Sequence, residues 1–203
     1  MEINSQVKSK SLIEKRHRQI AQAAASLFIE KGFHQTTIRE IAAASQMSMG
    51  LLYNYISSKD DVLFLVYKDL SDQFFSALSK VDIRKKRSPI AKIRDSMKEM
   101  LNLIHHEPKK FLFLYTESKF LNKSALKSIL AMETRVINHF RDILDEGKRA
   151  GALDIKEPLL AASIIVYLLM IGPLRGWSYD NQYNSISSQE YLINFCIKAI
   201  SKA

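Results

Sequence analysis

The sequence predicts an all-α fold: a small three-helix helix-turn-helix domain over residues 11–62, then a larger helical domain over residues 63–203. Three observations carry that expectation. Only 6 Gly and 4 Pro occur in 203 residues, too few for the turns of a β sandwich or barrel. Apolar residues recur at three- and four-residue spacing along most of the chain, the period of an amphipathic helix. Finally, three short helical patterns separated by tight turns fall within about 45 residues near the N-terminus, the spacing of a helix-turn-helix.

Residues 1–10 are polar and read as disordered. A first helix is expected from Leu12 to Lys31, with Ile20, Ala24, Leu27 and Phe28 on one face and Gly32 as its C-terminal cap. Thr37-Ile38-Arg39-Glu40 is a capping box that opens a second helix, over by about Ser45. Ser48 can cap a third, Met49 to Tyr55. Ser57 or Ser58 then caps a fourth, with Asp60 and Asp61 placed well against the helix dipole, reaching about Lys80. The basic run Arg84-Lys85-Lys86-Arg87 before Ser88-Pro89 reads as a solvated linker, because Pro89 suits a helix start.

Further helices follow. Ile90 to His105 turns Ile93, Met97, Met100, Leu101 and Ile104 inward. Pro108 to Leu121 is rich in aromatic residues, Ser124 to Ala150 ends at Gly151, and Pro158 to Trp177 is apolar nearly all round. Ser187 to Ser201 closes the chain. The apolar stretch Leu159 to Leu174 is shorter than the roughly 20 residues a bilayer span needs, so it reads as a buried helix.

The formal net charge is +9, which suits a polyanionic partner. Residues 1–59 hold eight Lys and Arg against four acids, so the excess is densest there. A lone cysteine, Cys196, excludes an internal disulfide and fits a reducing cytoplasm. His105-His106-Glu107 has no partner at metal-ligand spacing. No phosphate loop, nucleophile elbow or dinucleotide fingerprint is found. Neither an enzyme nor a metal or other cofactor is expected.

The third helix is the expected reader. Met47, Leu52 and Ile56 can pack against Ile41 and the first helix. Ser48, Met49, Gly50, Leu51, Tyr53, Asn54 and Tyr55 are then left wholly or partly outward. An outward face with Met, Leu and Tyr but almost no charge suits a DNA groove: apolar groups meet thymine methyls, Asn pairs with adenine, and tyrosine hydroxyls reach phosphates. Gly50 removes bulk where the backbone would approach the duplex.

Residues 27–42, with Glu30-Lys31-Gly32-Phe33 and Thr36-Thr37-Ile38-Arg39-Glu40-Ile41-Ala42, resemble the opening of a TetR-type regulator. Residues 48–63, with Gly50-Leu51-Leu52-Tyr53-Asn54-Tyr55 and Ser58-Lys59-Asp60, continue that resemblance in register. It implies that Thr37, Tyr53 and Lys59 hold phosphates, that Arg39 reaches the backbone or a base edge, and that residues 48–51 with Asn54 and Tyr55 face bases. Three positions depart from the family pattern. Met49 stands where Lys is frequent, Leu51 where a small hydroxyl residue is common, and Ile56 where Phe is usual.

For the remaining residues the resemblance implies a small-molecule effector, pairing of two protomers through the last two long helices, and repression relieved by the effector. Two stripes support a homodimer: Ile164, Leu168 and Ile171, and Tyr191, Leu192, Phe195 and Ile200. Met97, Met100, Phe111, Tyr115, Met132, Tyr167, Met170 and Trp177 form the expected lining of a pocket for a bulky apolar molecule, with Glu117, Arg135 and His139 able to orient it. The other reading is a DNA-bound adaptor or chromosome-organising protein with no small-molecule ligand.

Overall fold

Capping residues divide the chain of this computed structural model into ten α-helices among the described residues, which are Ile3, 7–82 and 87–202. Half of the expected disordered leader and residues 84–86 of the basic run lie outside them. Arg87 is within, and its guanidinium pairs with Asp95.

The helices are α1 (Lys10–Lys31), α2 (Ile38–Ala44), α3 (Met49–Tyr53), α4 (Lys59–Asp82), α5 (Pro89–His106), α6 (Pro108–Glu117), α7 (Lys123–Arg149), α8 (Pro158–Leu169), α9 (Ile171–Arg175) and α10 (Ser185–Ile200), with short 3₁₀ turns at Ser118–Phe120 and Gly176–Ser178. Most boundaries follow from local chemistry. Ser88 accepts the Ala91 N–H ahead of Pro89 at the first helical position of α5, and Asn122 and Asn184 cap α7 and α10 in the same way. Gly32 and Gly151 end α1 and α7 at φ 84° and 67°, backbone angles that a side chain disfavours.

Two compact units emerge. The first joins residues 1–72 to residues 112–131; the second joins residues 73–111 to residues 132–203. The division falls inside α4, α6 and α7, so each of these helices contributes to both. In the first unit α1 packs on α2 and α2 on α3, around Ile20, Phe28, Ile41, Leu52 and Ile56, all essentially without solvent contact. Phe113 stacks on Phe28, Phe120 stacks on Phe33, and the Tyr67 hydroxyl donates to the Leu114 carbonyl. In the second unit α5 packs against α8 and α10. Ile93, Met97, Met100, Leu101 and Ile104 face its core, as their spacing predicts.

One helix departs from expectation. Pro158 to Trp177 is not continuous: α8 stops at Leu169, and the chain bends by 54° before continuing. Gly172 and Pro173 explain the break, since proline offers no N–H and crowds the preceding turn. Among the described residues no single helix is long and apolar enough to cross a membrane. Nor is α8 buried all round, because Leu160, Ile164 and Tyr167 are more than half exposed.

Candidate nucleic-acid interface

Three local devices place the two helices that face outward from the first unit. Thr37 closes the expected capping box: its hydroxyl accepts the Glu40 N–H at 3.2 Å, and its own N–H donates to Glu40 Oε2 at 2.8 Å. The Thr37 hydroxyl also donates to that carboxylate, so a phosphate at Thr37 would share the hydroxyl with Glu40. Lys31 bonds the other Glu40 oxygen at 2.7 Å. That ammonium, with the Thr37 N–H and hydroxyl, holds the Glu40 carboxyl at about 2. Arg39, one residue before, is exposed.

The turn between α2 and α3 is the second device. Gln46 adopts φ 55°, which lets the Met47 N–H return to the Ala42 carbonyl at 2.9 Å and buries Met47. Gln19 of α1 donates to the Ser45 carbonyl at 2.6 Å, pinning the turn from behind. Ser48 then caps α3 by accepting the Leu51 N–H.

On α3, Ser48, Met49, Gly50 and Tyr53 are exposed, Leu51 and Asn54 are half-buried, and Leu52 is fully buried. A methyl group at Gly50 would meet open space, in keeping with a backbone left bare for close approach. Tyr55 is a correction: it is 3% exposed and belongs to the core. The helix ends at Tyr53 rather than Tyr55, so the residues after the Asn54 cap leave the helical period and Tyr55 turns inward. Ile56 packs inward as expected.

The third device holds the far end of α3. His17 Nε2–H donates to the Tyr55 carbonyl at 2.9 Å, with the two rings edge to face. Beyond it, the Ser57 and Ser58 N–H groups donate to Asp61 Oδ2, and the Ser58 hydroxyl accepts the Asp61 N–H. Lys59 does not point into open solvent. Its ammonium donates to the carbonyls of Phe33, His34 and Thr36 at 2.9, 3.2 and 3.1 Å. His17 and Gln19 carry no motif; a partner 38 or 26 residues away leaves no trace in local spacing.

Burial holds the His17 imidazole below its ordinary value of 6.5, against the opposing pull of the Tyr55 carbonyl. The native chain therefore prefers neutral His17. Stability from this group is complete above about 6.5 and is lost as pH falls from there through the lower folded value. Denaturant unfolding between pH 7 and pH 5 should show that loss in the native chain and a shallower one in His17→Gln; equal slopes would refute it.

The expected pocket residues lie in different settings within the two units. Met97, Met100 and Phe111 are buried in the core of the second unit, and Met132 and Met170 are half-buried. Tyr167 and Trp177 are exposed at the surface of the same unit, while Tyr115 is exposed on the first. Arg135 lies over the Phe75 ring, and His139 bonds the buried Ser96, so structural contacts occupy both. A cleft of about 360 Å³ opens elsewhere in the second unit, walled by Leu101, Ile104, Leu169 and Leu192 with Tyr179, Asp180 and Tyr183 at its rim. The dimer stripes also divide. Leu192 and Ile200 are core and Leu168 is half-buried, whereas Ile164, Ile171, Tyr191 and Phe195 are exposed.

Residues 20–66 match the family of bacterial regulatory proteins named tetR, and residues 86–171 match the tetracyclin repressor-like C-terminal domain. The HTH-type transcriptional regulator HbdR of Aromatoleum sp. (strain CIB) is 43% identical over 72 residues, which is 36% of this chain and 31% of that protein. The chain thus spans less than a third of that relative. The fatty acid metabolism regulator protein of Bacillus subtilis (strain 168) is 26% identical over 144 residues, 71% of this chain and 73% of its own. The crystal structure of AibR in complex with isovaleryl coenzyme A and operator DNA shares the fold, with a TM-score of 0.72 and 21% identity over 92% of this chain and 98% of the other.

Proposed function

Since the chain belongs to the TetR family of bacterial regulatory proteins, we propose that it is a ligand-responsive repressor that grips a palindromic operator as a homodimer. The observation that carries this is the outward face of α3, where Met49 and Tyr53 are 38% and 46% exposed on a short helix capped at both ends. Uncharged, partly apolar side chains so displayed gain little from water and much from thymine methyls and phosphates.

In this reading residues 11–62 do the gripping. Thr37 and Tyr53 hold phosphates, Arg39 reaches the backbone or a base edge, and Ser48, Met49, Gly50, Leu51 and Asn54 face bases. Residues 63–203 bind the effector and pair the protomers, and the protein works in the cytoplasm. The effector is a bulky apolar molecule. The cleft walled by Leu101, Ile104, Leu169 and Leu192 offers an apolar wall for one, and AibR's isovaleryl coenzyme A and the fatty acid regulator make acyl thioesters the first compounds to test.

Genome-wide mapping of bound DNA followed by footprinting should give one palindromic site that an acyl thioester, through its apolar acyl chain, or a wholly apolar compound releases. Affinity should fall steeply with salt, at roughly −0.9 in log K against log salt for each phosphate neutralised. Tyr53→Phe should weaken binding to all duplexes about tenfold or more, since a hydrogen bond to a charged group is worth roughly 1.5–3 kcal/mol. Asn54→Ala should change base preference. Unchanged affinity and selectivity in both variants would refute the reader, and binding that no compound releases would favour the adaptor.

A further inference from the structure

Lys59 stands at the start of α4, yet its ammonium reaches back 23 to 26 residues to the turn between α1 and α2. An ammonium has three donors, and here three carbonyls take them: Phe33, His34 and Thr36. The same group lies 4.6 Å from the centre of the Phe33 ring, a favourable place for a cation. The turn it closes leaves Gly32 at φ 84° and leads directly into the Thr37 cap. Within that turn the Thr36 hydroxyl donates back to the Gly32 carbonyl at 2.9 Å. Neutral carbonyls crowded at one point repel one another; a cation among them removes that repulsion and fixes their directions.

We infer that Lys59 is a positioning residue: it clamps the 33–36 turn and so sets where Thr37 and α2 meet DNA, and it does not itself hold a phosphate. Swinging out to a phosphate would surrender three charge-assisted hydrogen bonds and the ring contact for one exposed ion pair, which salt screens. Lys31 is bonded to Glu40, whereas Arg39 is exposed and makes no ion pair among the described residues. Counterion release near α2 is therefore assigned to Arg39. The inference rests on the reading of α2 and α3 as the DNA grip, but the clamp itself needs no DNA to be observed.

Lys59→Met in the full chain keeps the stem against Phe33 and removes the donors. In the free protein, hydrogen exchange of the Thr36 and Ile41 amides should speed up at least tenfold. On duplex DNA, affinity should fall about tenfold while the salt slope stays within about 0.3 of the native value. Arg39→Gln should lower that slope by about 0.9, the value for one phosphate. Thr37→Ala should leave little for Lys59→Met to remove, because both act at one contact. A slope lowered by about 0.9 in Lys59→Met with unchanged amide protection would overturn the inference, as would full additivity with Thr37→Ala. If the native chain binds no duplex while the amides lose protection, the DNA reading fails and the clamp stands. Lys59→Gln, whose shorter neutral amide loses the charge and at least one of the three bonds, gives the same readouts at smaller size should the methionine variant not fold.

Discussion

Phe28→Ala is expected to destabilise the first unit by about 3–5 kcal/mol, the usual cost of emptying a buried aromatic site. Phe28 is 1% exposed, meets Phe33 edge to face at 5.3 Å and stacks on Phe113 at 5.7 Å. Removing the ring leaves a void between α1 and residues 112–131 that neither neighbour fills without moving. The surroundings resist collapse because Phe33 is also held by Lys59 and stacked on Phe120. Operator binding should disappear at temperatures where the native chain is still folded. Denaturant unfolding gives the test: a loss under about 1 kcal/mol would mean that the cluster is not the core of the unit.

The second large effect concerns the exposed face of α8 and α10. Leu160, Ile164 and Tyr167 recur at helical spacing and are 60%, 51% and 62% exposed, and Tyr191 and Phe195 on α10 are exposed likewise. Such an exposed apolar patch calls for a partner. If a second copy covers it, Ile164→Glu or Phe195→Glu would bury an unpaired carboxylate there and split the dimer. Light scattering should report about twice the 23.3 kDa chain mass for the native protein and the single mass for either variant. Operator affinity should fall at least a hundredfold in both, because the second half-site no longer binds intramolecularly. A variant that stays dimeric, or a native chain that is monomeric at micromolar concentration, would rule out this face as the joint.

These two cases mark what the sequence could and could not reveal. Thr37, Ser48, Gly32 and the inward face of α5 were legible because each depends on residues within one or two turns. The same periodicity could not separate Leu192, which is core, from Tyr191 and Phe195, which are exposed; a stripe records apolarity, not what lies against it. For the same reason a stripe does not tell a pocket wall from an open face at Trp177, Tyr167 and Tyr115, all of which are exposed. Helical spacing places Tyr55 outward only if it runs past the Asn54 cap, where α3 has already ended. The break at Met170 had its signal in Gly172-Pro173, overruled by the continuous hydrophobicity around it. Long-range bonds such as Gln19 to Ser45 and Lys59 to Phe33 lie beyond any local pattern.

The compact unit that holds α3 is not one continuous stretch of chain, since residues 112–131 complete it. Exchange of specificity between relatives is therefore not a single crossover. A hybrid that took residues 1–72 from one parent and everything else from another would set one parent's Phe28, Phe33 and Tyr67 against the other's counterparts of Phe113, Phe120 and Leu114. Grafting a new operator preference onto this scaffold, or borrowing its own, means moving two segments together or changing α3 alone. The same rule binds any redesign of either stretch: the two must stay matched, although 39 residues separate them in the chain.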